Sequence, residues 1–167
     1  MESSALRPAA RFVSALLALV FLLAGCVTGP PAPPYSAVAA QIPPVGPGAA
    51  RIYFYRDYEP YESLARPWIY LNRAQAAVSV PGGVSYRDVA PGQYEISVYS
   101  CGLYPNQFKT VVLQPGETRY VKIESLRSWS EPGLFHDPGP CDTFVVALID
   151  EAQARQELLG MRYDPGL

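Results

Sequence analysis

"VPGGVSYRDVAPGQYEISV", Val80 to Val98, decides how the chain is read. Two Pro-Gly pairs interrupt a run that otherwise alternates apolar and polar residues with the period of a strand. A phosphate-cradling glycine loop leads from a strand into a helix N-terminus, with a lysine and a hydroxyl waiting. Here each pair leads into another strand-like run, and no lysine stands ahead of Lys109. Proline presets φ at the second position of a type II turn, and glycine supplies the positive φ at the third. The pairs therefore turn corners. Pro115-Gly116 repeats the device and Asn72-Arg73 breaks the chain between two further runs, so the expectation is a rhythm of hairpins.

Working outward, "RIYFYR" (51–56) and "PWIYLN" (67–72) are rich in aromatic and branched residues. "AAVSV" (76–80), "VSYRDV" (84–89), "QYEISVYS" (93–100), "FKTVVL" (108–113), "TRYVKIES" (118–125) and "DTFVVALI" (142–149) follow. Short strands at intervals of roughly 8–12 residues mark a sandwich or barrel and argue against alternating βαβ units. Only "DEAQARQELLG" reads as helix, with Asp150 as N-cap, Gln153 at the capping-box position and Gly160 as the stop. Its stripe of Ala154, Leu158 and Met161 is expected to close an open edge or end of the sandwich. The expected fold class is all-β: a single antiparallel β-sandwich with one short C-terminal helix.

The N-terminus has its own logic. Arg7 and Arg11 precede a run, Phe12 to Ala24, that is apolar except for Ser14. At thirteen residues it is shorter than the ~18–20 needed to span a bilayer, and it matches the central region of a secretory signal. The run ends in Leu23-Ala24-Gly25-Cys26, which resembles the lipobox of bacterial lipoproteins. That resemblance implies diacylglyceryl transfer to the Cys26 thiol, cleavage just before it, and anchoring by acyl chains that each contribute ~0.8 kcal/mol per buried methylene. Val27 after the cysteine, by resemblance to the sorting rule of enterobacterial lipoproteins, implies the periplasmic face of the outer membrane. Thr28 to Gly48 carries no charge and seven of the eighteen prolines, and reads as an extended tether with a reach of up to ~60 Å. The expected organisation is a signal peptide over 1–25, a lipidated cysteine and tether over 26–48, and a β-sandwich domain over 49–167.

The strand and turn series "RIYFYR", "PWIYLN", "SVPGGVSYRDVAPGQYEISV" and "LQPGETRYVKIE" resembles a bacterial lipoprotein domain known as domain-of-unknown-function family 2846. The resemblance spans about Arg51 to Glu157. It implies a small sandwich like those of PEGA-like and carboxypeptidase-regulatory-like modules, and it implies no activity. A long Ser125–Asp142 insertion departs from the family pattern.

Chemical handles are few. Net charge is −2 and only two of the thirteen cations are lysines, so no basic field exists to hold nucleic acid. With Cys26 committed to lipid, Cys101 and Cys141 remain, as a disulfide or as two free thiols. A bridge would close a loop of about forty residues and stabilise by ~3–4 kcal/mol on the chain-entropy model. The lone His136, with Asp137 and Cys141, matches no metal-ligand spacing, and Ser128 and Ser130 lack a nucleophile elbow. Glu59 and Glu62 read as a solvated loop pair. No catalytic residue, metal or cofactor is expected, and the chain reads as a non-enzyme. The aromatic set Tyr53, Tyr55, Trp68 and Tyr70 is the candidate binding surface, within a wider group that includes Tyr58 and Tyr61. Two functions fit: an envelope interaction or structural module with a protein or glycan partner, and a carrier holding a lipid or glycan in a groove. A carrier requires a deep apolar pocket between the sheets; an interaction module requires a closed core and an exposed aromatic patch.

Overall fold

The computed structural model describes residues 31–58, 63–101, 107–126 and 142–165. The compact unit that holds the strands begins at Ala32. Its elements are α1 (Tyr35–Val38) running into a 3-10 turn (Ala39–Gln41), then β1 (Ala50–Tyr55), β2 (Trp68–Leu71) and β3 (Ala74–Val78). After these come β4 (Gly83–Val89), β5 (Gly92–Val98), β6 (Phe108–Leu113), β7 (Thr118–Ser125) and β8 (Phe144–Ile149). The helix α2 (Glu151–Leu158) and the two-residue β9 (Arg162–Tyr163) complete the order.

Two sheets pack face to face, one with strand order β8-β7-β1-β4-β9 and the other β3-β2-β5-β6. The fold is an all-β sandwich. Alternation along each strand builds the core between the sheets: Ile52 and Phe54 on β1, Ile69 and Leu71 on β2, Ile96 and Val98 on β5, Val121 and Ile123 on β7. Every residue of β1 is buried, because this strand is central and both of its faces are covered. The four-stranded sheet is antiparallel throughout. The five-stranded sheet is mixed: β1 runs parallel to β7, and β4 parallel to β9.

The turns correct the expected rhythm of hairpins. Pro81-Gly82 joins β3 to β4, Pro91-Gly92 joins β4 to β5, and Pro115-Gly116 joins β6 to β7; each step crosses from one sheet to the other. At Pro81-Gly82 and Pro115-Gly116 the local geometry is as the residues dictate, with φ of 67° at Gly82 and 78° at Gly116 and with Gly83 N–H donating to the Val80 carbonyl at 2.9 Å. Gly92, at φ 152°, already begins β5, and Pro91-Gly92 is a bend, not the expected type II turn. A Cβ on Gly83 would stand 2.9 Å from the Val80 Cβ, so the corner is tight. What a type II turn does not determine is whether the next strand pairs with the last or leaves for the opposite sheet. The two-residue hairpin is at Asn72-Arg73, both at positive φ, as a type I′ turn requires.

The expected tether is also corrected. An arm, Ala32 to Ile42, is docked on the sandwich: Tyr35 N–H donates to the Met161 carbonyl, Tyr163 N–H to Pro33, and the Arg162 guanidinium to Ala32, at 2.8–2.9 Å. Prolines cannot donate to a ladder, yet their carbonyls accept, so a proline-rich segment can be held by donors from its neighbour. Arg51 adds a clamp. It is buried, paired through two bonds (2.6 and 2.8 Å) with its cross-strand neighbour Asp88, and it donates to the Pro43 carbonyl at 2.8 Å.

Candidate functional site

The outer face of the five-stranded sheet carries a row of tyrosines. Register places Tyr53 opposite Tyr86 on β4 and Tyr120 on β7. The Tyr53 ring stacks on Tyr120 at 5.3 Å and 9°, tilts against Tyr86 at 5.7 Å, and meets Tyr35 of α1 edge-on at 6.2 Å. Above them lie Ala154, Leu158 and Met161, the stripe expected on the helix. This stripe covers a sheet face, where the sequence suggested an edge or end. Asp150 caps α2 as expected, accepting from Gln153 N–H at 3.0 Å, whereas the Gln153 side chain turns forward to Glu157. The candidate surface is corrected here: Tyr53 and Tyr55 are buried, at 7% and 2% exposure, and belong to this second core.

Tyr55 ends in a charged cluster. Its hydroxyl donates to Glu157 at 2.7 Å, and Lys122 Nζ lies 2.5 Å from Asp57 and 3.1 Å from Glu157. Burial, then the Glu157 acceptor, pushes the Tyr55 hydroxyl up. Burial favours the neutral form of Glu157, but hydrogen bonds from Gln153, Tyr55 and Lys122 outweigh it and hold the carboxyl below its usual range. Burial likewise opposes the charge on Lys122, and its two carboxylate partners raise it above the ordinary value. With its charged form favoured by these two partners Lys122 is ill suited to act as a general base, and the cluster fastens α2 to β7.

A second buried cation organises the loops at the end of β1. Arg56 is 1% exposed, lies 4.9 Å over the Phe144 ring, and donates to the carbonyls of Ala65 (2.9 Å) and Ser63. The Ser63 hydroxyl donates in turn to the Asp142 carboxylate. Nearby, Cys101 N–H donates to the Asp142 carbonyl at 3.1 Å, Thr143 Oγ1 to the Cys101 carbonyl at 3.1 Å, and Phe144 N–H to Ser100 Oγ at 2.8 Å. The sequence reading missed Arg56, since only the burial of its loop distinguishes it from a solvated arginine. Cys26, Cys141, His136, Asp137, Ser128, Ser130, Glu59, Glu62 and Tyr61 lie outside the described residues. Among the described residues no group of three His, Cys, Asp or Glu is placed to hold a metal ion.

The outer face of the four-stranded sheet is different. Trp68 and Tyr70 are half-buried and turn outward from β2, while Ile69 and Leu71 turn inward. Tyr70 stands opposite Ser97, which stands opposite Phe108. Trp68 stands opposite Val78, and its carbonyl accepts from Tyr99 N–H at 2.8 Å. Residues directly opposite share a face, so Trp68, Tyr70, Tyr99 and Phe108 form one aromatic patch. Tyr99 and Phe108 are 59% and 60% exposed. Neither was a sequence candidate, because each joins the patch only through cross-strand register.

Behind the patch, among the described residues, core side chains fill the space between the sheets. A void of about 10 Å³ lies between Phe54, Ile69, Ser79 and Val84. Hollows of about 350 and 400 Å³ lie at the open edge of the sandwich where β6 of one sheet meets β8 of the other, and each is lined by residues of both sheets. Among the described residues no helix is long and apolar enough to cross a membrane. A family model described as "Protein of unknown function (DUF2846)" matches residues 47–134, which takes in β1 to β7. No curated protein and no solved structure matches.

Proposed function

The chain belongs to the family of unknown function DUF2846, and from that premise we propose that it is a lipid-anchored, non-enzymatic interaction module of the cell envelope. In this reading Cys26 carries the lipid, the domain faces the periplasm from the outer membrane, and the patch of Trp68, Tyr70, Tyr99 and Phe108 receives an envelope protein. The observation that carries it is an aromatic patch, with Tyr99 and Phe108 well exposed, over a core that is filled among the described residues. Tyr and Trp are enriched where proteins meet, and large exposed apolar patches are uncommon on monomers. The carrier reading is less well supported, since ligand pockets usually enclose ~300–1,000 Å³ in an apolar lining. The hollows of that size lie open at the β6–β8 edge with Lys109, Glu124 and Arg119 among their walls, and the void behind the patch is about 10 Å³. A disulfide between Cys101 and Cys141 belongs to the same proposal. It is supported by the bonds joining Cys101 to Asp142 and Thr143, the two residues that follow Cys141.

Affinity capture of the lipoprotein from crosslinked membranes tests this reading. Recovery of a discrete protein partner should fall at least tenfold for a Tyr99→Glu/Phe108→Glu double variant. Equal recovery with both forms contradicts it, and partner loss accompanied by lost sedimentation with peptidoglycan moves the reading to a glycan. For the cysteines, two alkylatable thiols in the oxidised periplasmic form would rule out the bridge.

A further inference from the structure

The docked arm changes where the domain stands relative to its anchor. We infer that the corner formed by the arm, β9 and the C-terminal end of α2 is the side of the domain that lies against the bilayer. The inference rests on the reading of Cys26 as the lipidated residue.

Two observations carry it. The first is chain length. Only five residues stand between Cys26 and Ala32, the first residue held to the sandwich, which makes six steps of the chain. At 3.3–3.6 Å per residue they span at most ~20 Å, against the ~60 Å that a free tether through Gly48 would give. The domain is held close to the membrane, and it is held by this corner. Stacked layers are ~10 Å apart, so the outer face of the four-stranded sheet stands a further ~20 Å from the arm layer.

The second is the chemistry around the exit. The Arg162 side chain holds the Ala32 carbonyl, and Arg162 N–H donates to the Gly82 carbonyl at 2.9 Å. Gly82 packs directly against the Tyr58 side chain, which is 62% exposed. Leu159, 59% exposed, stands three residues before Arg162 at the end of α2. Arg66 reaches the same corner through its ion pair with Asp164, at 3.4 Å. An exposed tyrosine and leucine flanked by two arginines suit the headgroup region, where aromatic rings sit at the boundary and guanidinium groups meet phosphates. The bilayer therefore takes the corner, and the aromatic patch of the far sheet is left facing away from it.

The test uses the full-length lipoprotein reconstituted into phosphatidylethanolamine–phosphatidylglycerol vesicles that contain a headgroup-nitroxide phospholipid. A fluorescent label is placed on Leu159→Cys, on Tyr58→Cys, or on Gln93→Cys, which is exposed on the outer face of the far sheet. The inference expects quenching several-fold stronger at positions 159 and 58 than at 93. Equal quenching at all three, or the strongest at 93, in protein that still floats with the vesicles overturns the orientation and leaves the anchoring reading intact. A Cys26 peptide without the diacylglyceryl mass, in protein that does not float, overturns the anchoring reading itself and the inference with it. Because the three positions are exposed, loss of the fold does not confuse the comparison.

Discussion

The two outer faces of the sandwich carry the same kind of strand and meet opposite fates. On the five-stranded sheet, Tyr53, Tyr86 and Tyr120 are covered by α2 and the arm. On the four-stranded sheet, Trp68, Tyr70, Tyr99 and Phe108 have no such layer among the described residues. The cover comes from outside the stretch matched by the family model: the arm before residue 47, α2 and β9 after residue 134. Aromatic alternation in a strand thus tells which residues share a face. It does not tell whether the face becomes core or surface; other segments decide that.

Breaking the covered face should cost stability and breaking the bare one should not. The largest effect is expected from Tyr53→Ala. Removing a buried aromatic ring costs ~3–5 kcal/mol, whereas Tyr99→Ala should stay within ~0.5 kcal/mol of the parent in urea unfolding. If the two variants unfold alike, the contrast between the faces is wrong. Arg51→Met should cost ~2 kcal/mol, reduced from the fully buried case because its partner Asp88 is partly exposed. Hydrogen exchange should then show Tyr35 losing protection before any strand does. Asp150→Ala removes the cap of the covering helix and should cost ~1 kcal/mol by thermal unfolding.

The smallest effect is one of pH. The Glu157 carboxyl is depressed in the folded protein, so its contribution is present above the unfolded value of ~4.3 and is lost as pH falls through the folded value. Acid should therefore loosen α2 first, and Glu157→Gln should flatten the stability of the parent against pH below ~4.5. An unchanged acid profile in that variant would remove Glu157 from the fastening of the helix.

Much of this architecture was legible in the residues. The alternation of "RIYFYR", "QYEISVYS" and "TRYVKIES" located β1, β5 and β7 to within about two residues, because one buried face imposes a period of two. Asp150 announced the start of α2. The pairing partners were not legible. A type II turn at Pro81-Gly82 has the same local geometry whether β4 pairs with β3 or crosses to the other sheet, and the parallel register of Arg51 with Thr118 joins residues far apart in the chain. The arm was misread for a related reason. A segment rich in proline cannot build a ladder of its own, but nothing in its sequence says that Arg51, Arg162 and Tyr163 will donate to its carbonyls. The outer-face aromatic residues followed suit. Trp68 and Tyr70 were found by composition, whereas Tyr99 and Phe108 needed the β2–β5–β6 register.

Photo-crosslinking in intact cells tests the central claim most directly. A benzoylphenylalanine is placed at Phe108 on the bare face, or at Gln153 on the exposed side of α2 that covers the other. The account predicts a discrete crosslinked species from position 108 and none from position 153. A species from 153 with none from 108 would contradict it.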